Sequence, residues 1–513
     1  MKRWAILMMS LRDKAPVGFR KTSGSAQPSP AWPGILAVAL GLAALAQPAL
    51  AADQPQWGQA WSRNMASDER NLPSSFDPQS GLNVKWSARL GTETHATPIV
   101  AGGRVYIGTN NGEPRDPKHQ GDRGVLMCFE EKSGRFLWQL VVPKRVEDIY
   151  FDWPQSGICS PPTVEGERVY LVSNRGEVLC LDALDGGILW LFNLTADAGI
   201  WSHDAAHSSI LIRGNLLYLN TGTGVDNTHI HIRAPDAPSL VVLDKRTGRL
   251  VARDHEHIAP NIFHSTWSAP SAGEANGRPL IFFAAGNGIV YAFDPVQDPP
   301  SPPDPSQHPN TPPPQFLARV FQFDFDPEAP KTNVHKYHSN RSEGPSDFFG
   351  MPVFYRNRLY VAGGGDIWWG KNQAWLKCID ATRAGDITTN GLIWSYPLQK
   401  HVMATPAIWQ GLVFIADCGR MLHCVDAMTG QPCWTYELKG EVWASPLVAD
   451  GKVYLGTRNG SFYVFAAQRQ KKLLSTIDLG SPISSTATAA NGVLYLATMT
   501  HLYALQDQKA AGQ

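Results

Sequence analysis

The chain has 513 residues, with 45 Lys plus Arg against 45 Asp plus Glu, so its formal net charge is zero. No basic surplus exists to neutralise phosphates, which argues against nucleic acid as a main partner, and no acidic surplus supplies a solvating tail. With 43% hydrophobic residues, 46 Gly, 39 Pro and 17 Trp, the composition is that of an ordered chain rich in turns and aromatic anchors.

The first 31 residues carry Lys2, Arg3, Arg12, Lys14, Arg20 and Lys21. An apolar run from Gly34 to Ala46 follows, then the small pair Ala49 and Ala51. A basic region, a short apolar region and an A-x-A site read as a signal peptide over residues 1–51, cleaved after Ala51. The run is too short to cross a hydrocarbon core of about 30 Å. The expected mature protein is therefore periplasmic or secreted, with no transmembrane helix. Residues 52–80 read as a lead segment. Asn83 to Ser87 then reads as an isolated Trp-bearing strand.

From there one phrase recurs eight times. It opens with a small residue and Pro, continues through an apolar strand and a tight turn, and returns through a second strand. A third strand ends in Asp-Ala, and Thr-Gly then leads to a Trp. The first copy has Ala96-Thr97-Pro98, Val105-Tyr106 and Trp138; the second has Ser160-Pro161, Leu181-Asp182-Ala183 and Trp190. The third is worn, with Leu243-Asp244 and Thr247-Gly248; the fourth runs from Ser268-Ala269-Pro270 to Tyr291-Ala292-Phe293-Asp294. A Pro-rich insertion follows that copy, and Phe321-Gln322-Phe323 replaces its Trp strand. Met351-Pro352 opens the fifth, which ends on Trp394. The sixth is the clearest, with Ala404-Thr405-Pro406, Val425-Asp426-Ala427-Met428-Thr429-Gly430 and Trp434. Ala444-Ser445-Pro446 opens the seventh, and Ser481-Pro482 opens the eighth, which stops at Leu505 without a fourth strand.

Period-two alternation and tight-turn pairs such as Gly102-Gly103, Asp450-Gly451 and Asn491-Gly492 predict four short strands per copy. Four-stranded units repeated radially make a β-propeller. The surplus strand at Asn83–Ser87 and the missing one after Leu505 predict that the ends complete a single blade. The reading is thus all-β: an eight-bladed propeller over residues 81–505 with a tail over 506–513.

The repeat resembles the pyrroloquinoline-quinone (PQQ) propeller family, on the Asp-Ala-x-Thr-Gly phrases and Trp138, Trp190, Trp394 and Trp434. The family includes quinoprotein alcohol dehydrogenases, which use PQQ and Ca²⁺. It also includes a propeller subunit of the outer-membrane protein insertion machinery, which binds partners without a cofactor, and many exported members. The resemblance implies either a binding and assembly module or a PQQ-dependent dehydrogenase with calcium. No two cysteines are adjacent and no Cys-x-x-Cys-His site exists, both of which count against the dehydrogenase.

Position in the repeat nominates the site. Residues just before each Pro start the innermost strands and line the channel. They include His95, Cys159, His203, Trp267, Met403 and Trp443, with Asp152, Trp153, Asp204, His264 and Asp347 on the feeding loops. A channel mouth built this way would take a protein or small-molecule ligand. His203, His207, His229, His231, His255, His257 and His264 form a second group, read as hydrogen-bonding loop residues or as a transition-metal site. His229 and His231 are expected to share a strand face. Cys128, Cys180, Cys378 and Cys424 fill one equivalent small slot, and Cys418 and Cys433 are candidates to pair. Gly363-Gly364-Gly365-Asp366 before Trp368-Trp369 reads as a functional loop or a bulged connection.

Overall fold

Each copy of the repeat becomes one sheet. The computed structural model describes residues 52–145, 151, 153–203, 209–299 and 313–509. The signal-peptide reading, Asp152, Asp204, His207, most of the Pro-rich insertion and the end of the tail lie outside these. Eight sheets of four or five strands are present, as the repeat predicts for a β-propeller. No helix among the described residues is long and apolar enough to cross a membrane.

The ring closes as the strand arithmetic requires. Val84–Arg89 pairs antiparallel with His501–Leu505, Trp86 opposite Ala504, and so becomes the outer strand of blade 8. Three blades carry an extra short strand. Gln315–Phe316 adds to blade 3, Gly385–Asp386 to blade 4 and Ala66–Ser67 to blade 7.

Alternation divides each inner strand between two seams. Val105 and Ile107 pack with Tyr495 and Leu502 of blade 8, whereas Tyr106 between them packs with Val169 and Leu171 of blade 2. Both faces are therefore buried, and the strands read as nearly continuous apolar runs. The repeat phrase makes the same contacts in several blades. Asp182 Oδ1 accepts the Leu184 amide at 2.7 Å, and Asp426 Oδ1 accepts those of Met428 and Thr429 at 3.0 Å. The indole of Trp138 donates to Ala183 O of the next blade, and that of Trp86 donates to Glu131 O. The turn glycine lies beneath the ring: a Cβ on Gly134, whose φ is +72°, would stand 2.6 Å from Trp86. The four equivalent cysteines face these tryptophans, as Cys128 faces Trp138.

Cys418 and Cys433 do not pair, and all seven cysteines are free thiols. Cys418 follows the second strand of blade 6, Leu412–Asp417, its thiol against Val442 O. Cys433 lies in the outer strand of that blade, where its thiol neighbour is Cys424.

Residues 52–72 cross one end of the channel and engage every blade. Val100, Val164, Ala272, Phe354 and Val448, each within an innermost strand, donate their N–H to Gln54, Pro55, Trp61, Ser62 and Met65 carbonyls. Ile408 N donates to Asn64 Oδ1, the Trp61 indole donates to Ile212 O, and Gly492 N donates to Glu69 Oε2. Innermost strands would otherwise carry unpaired edge groups, which this segment satisfies. Arg63 anchors it, fully buried, with its guanidinium on Pro270 O, Trp57 O and Ser209.

Candidate functional site

At the other end of the innermost strands a cavity of about 260 Å³ opens. Its wall holds His95, Trp153, His203, His264, Trp267 and Trp443, all placed there by the sequence reading. Cys159 lines a narrower cavity deeper in the channel, floored by Trp57. Asp347 is not in the wall. It is buried behind the Gly364–Trp369 loop, where its N–H donates to Gly364 O at 2.6 Å.

Met403, also read as lining the channel, is in the wall, and His229, Trp368, Trp369, Glu93, Ser156 and Arg458 complete it without having been named as channel-mouth residues. His229 belongs to the histidine group, but it does not share a strand face with His231. Both lie on the loop between Leu216–Asn220 and Leu240–Asp244. His229 takes a left-handed φ of 61°, which turns the two side chains apart. His231 turns to Asp226, 3.2 Å away. That carboxylate organises the loop: burial pushes it up, but bonds from Thr228, His231 and Arg233 outweigh burial and hold it at about 2. His255 and His257 pack against each other with tilted rings, and neither lines the cavity.

Three histidines converge. One ligand-capable nitrogen from each of His203, His229 and His264 lies within 4.8 Å of the others. His264 Nε2 is 3.1 Å from His203 Nε2. On its far side His264 Nδ1 meets Asp366 Oδ2 at 2.8 Å. The other Asp366 oxygen accepts the Trp368 and Trp369 amides at 2.9 and 2.7 Å. Burial pushes the Asp366 carboxyl up, but His264 and these amides outweigh it and hold it below the usual carboxylate range. The carboxylate is thus an acceptor for a proton on His264 Nδ1, and Nε2 is the nitrogen turned towards His203. Burial, then the neighbouring imidazoles, keep His203 well below the usual imidazole range, hence neutral.

The Gly-rich run is what lets Asp366 approach. A Cβ on Gly365 would fall 1.8 Å from Lys371 O. Arg341 braces the same loop, donating to Ile367, Trp368 and Gly370 carbonyls, and His401 Nδ1 pairs with Gly365 O. The loop so held presents Trp368 edge-on to His264, at 5.4 Å between ring centres, and Trp369 edge-on to His229 at 5.5 Å. On the opposite wall His95 stacks on Trp443 at 6.0 Å, and Arg458 lies over the same indole at 4.2 Å.

With the ring and its mouth in view, comparison with known proteins places the chain. The family model described as "Outer membrane protein assembly factor BamB" matches residues 67–297 and 372–508, more than half of the sequence. The chain belongs to this family of PQQ-like propellers. No curated protein matches the sequence. Among solved structures, BamB from Moraxella catarrhalis is similar at 14% identity, covering 83% of this chain and 97% of that one with a TM-score of 0.51. A europium-containing methanol dehydrogenase aligns at 12% identity over 87% of this chain and 89% of that one, TM-score 0.48. The quinohemoprotein alcohol dehydrogenase from Comamonas testosteroni aligns at 13% over 88% and 80%, TM-score 0.47. The BamB likeness shows the shared fold.

Proposed function

We propose that this BamB-family propeller is an exported binding and assembly module that seats an apolar or planar group of its ligand in the channel mouth. The observation that carries the reading is the cavity wall. Trp153, Trp267, Trp368, Trp369 and Trp443 surround it and make its exposed wall mostly apolar, with His95, His203, His229, His264, Glu93, Ser156 and Arg458 set among them. Cavities of this kind, apolar with a few convergent polar groups, are the usual setting for a ligand. Residues 52–72 cross the opposite end, which favours entry of a ligand from the mouth. The family description, an outer membrane protein assembly factor, favours a protein partner whose aromatic or aliphatic side chain is the seated group, and a periplasmic location.

The second reading, a PQQ-dependent dehydrogenase with Ca²⁺, meets the wrong donors. Calcium takes 6–8 oxygen ligands. Here the convergent donors are imidazole nitrogens. Asp366 is committed to His264, Trp368 and Trp369, and Asp347 is not in the wall. PQQ carries three carboxylates, and the wall offers one guanidinium, Arg458, beside the carboxylate Glu93. The described residues do not fit the pair.

The test is a binding screen of short aromatic and aliphatic peptides against the purified protein, read by NMR line broadening. Binders should weaken when Trp443 or Trp368 is replaced by Ala. Binders indifferent to both substitutions would overturn the mouth as the site. Dye-linked alcohol oxidation after addition of PQQ and Ca²⁺ would favour the second reading instead.

A further inference from the structure

We propose that His203, His229 and His264 are the ligands of one divalent transition-metal ion of the zinc class, with a coordination position left open to the mouth cavity. The inference deepens the binding reading above and rests on it only for what occupies the open position.

The first argument is geometry. Two imidazole nitrogens about 2.0–2.1 Å from a tetrahedral ion stand roughly 3.3 Å apart. His203 Nε2 and His264 Nε2 are 3.1 Å apart. All three donors lie within 4.8 Å, and half-buried His229 closes the remaining distance by a side-chain rotation.

The second argument is that the cluster is built. One loop pins all three histidines. His203 N donates to Gly222 O, Val225 N donates to His264 O, and His229 N donates to Asp226 O, at 2.7 to 2.9 Å. Gly224 lets them converge, because a Cβ there would lie 2.5 Å from His264 O and 2.9 Å from His203 Cβ.

The third argument is the outer partner. A metal-bound imidazole commonly gives its other N–H to a carboxylate, which fixes the ring and raises its basicity. Asp366 does this for His264, and it is fully buried. With Nδ1 engaged by Asp366, Nε2 is the nitrogen turned to the side where the three donors converge.

Imidazole donors select zinc, copper, nickel or iron over calcium and magnesium. Three neutral ligands leave the ion's positive charge largely uncompensated, and three-ligand sites keep a further position for water or substrate. The occupant is then an anionic oxygen or sulfur donor borne on an apolar or planar body, seated against Trp368.

The experiment strips the purified protein with a chelator, desalts it and titrates it with Zn²⁺ or Co²⁺ alone. Calorimetry should give one ion per chain, and Co²⁺ should develop the visible bands of a low-coordinate nitrogen site. His203→Ala and His264→Ala should each weaken binding on the order of 100-fold, and Asp366→Asn about 10-fold or more. His231→Ala, on the same loop but turned to Asp226, should bind as wild type. No stoichiometric ion in the wild type would overturn the proposal. So would an affinity indifferent to the His203 and His264 substitutions in proteins whose circular dichroism shows them folded. Benzoate added to the Co²⁺ form reads the open position, and its bands should shift. Bound Co²⁺ that ignores benzoate and other anionic donors leaves the metal centre standing and overturns the open position. Peptide binding by a wild type that takes up no stoichiometric ion overturns the centre and leaves the binding reading intact.

Discussion

Asp366 and His264 form a buried pair 102 residues apart in sequence, Oδ2 to Nδ1 at 2.8 Å. The carboxylate fixes the imidazole tautomer, and through its other oxygen it holds the start of the Trp368-Trp369 turn. Asp366→Asn separates the two roles. The amide oxygen still accepts the Trp368 and Trp369 N–H groups, while the amide nitrogen now donates towards Nδ1. The expected outcome is a folded protein in which the His264 proton moves to Nε2. Nitrogen-15 chemical shifts of the imidazole check this, and unchanged shifts would refute it. Asp366→Ala removes both roles and should cost about 3–5 kcal/mol, the usual price of orphaning a buried charged partner.

Asp347 behaves in the opposite way. Burial, then the charge of Asp366, push its carboxyl well above the usual range. One oxygen accepts the Phe348 amide at 2.7 Å, and backbone bonds from Phe348 and Ser265 do not offset the burial. An acid whose folded pKa is raised binds more protons folded than unfolded. Its contribution is full below the unfolded value of about 3.9 and is lost as pH rises through the folded value. Asp347→Asn keeps the acceptor for Phe348 and removes the titration. The variant should melt higher than wild type at about pH 7, and the gap should close towards about pH 3. A constant gap across that range, by calorimetry, would contradict this account.

The fold was legible because each residue of the repeated phrase makes the same contact in several blades. Asp182 and Asp426 cap equivalent turns, and Trp86 and Trp138 lie on equivalent glycines. His203 and Trp267 were legible for a related reason: residues just before an innermost strand must reach the mouth. His229 and Trp368 arrive from loops between second and third strands, Asn220 to Leu240 and Gly364 to Ala374. Loop length conceals where such side chains finish, so only the odd composition of these loops marked them. Residues 52–72 were not legible as a channel closure. They have no periodicity, because each contacts a different blade once.

Trp86 and Gly134 offer a test of the ring seam. Trp86→Ala should cost about 3–5 kcal/mol, as for other large buried rings. Gly134→Ala places a Cβ 2.6 Å from the indole at a φ of +72° and should also destabilise, by about 1–3 kcal/mol. The clash needs the ring, so the double variant should lose less than the sum of the two. Denaturant midpoints of all four proteins measure the cycle. Strict additivity would mean that the glycine is required for its turn conformation alone.

Arg63 tests whether the closing segment belongs to the folded unit. Its guanidinium is fully buried, and burial pulls it down to about 9, so it stays charged at neutral pH. Nε donates to Pro270 O at 3.1 Å, Nη1 to Trp57 O at 3.0 Å and to Ser209 Oγ, and Nη2 to Ser209 O. These acceptors belong to the segment itself and to the approaches to the innermost strands of blades 3 and 4. Only a planar fork can reach them together, so Arg63→Lys should do nearly as much damage as Arg63→Met. Each should cost on the order of 3 kcal/mol by leaving buried carbonyls unpaired. Release of the segment should expose residues 52–72 to protease before the propeller unfolds, with early cleavage seen by mass spectrometry. Wild-type resistance in both variants would show that the contacts to the other blades hold the segment without Arg63.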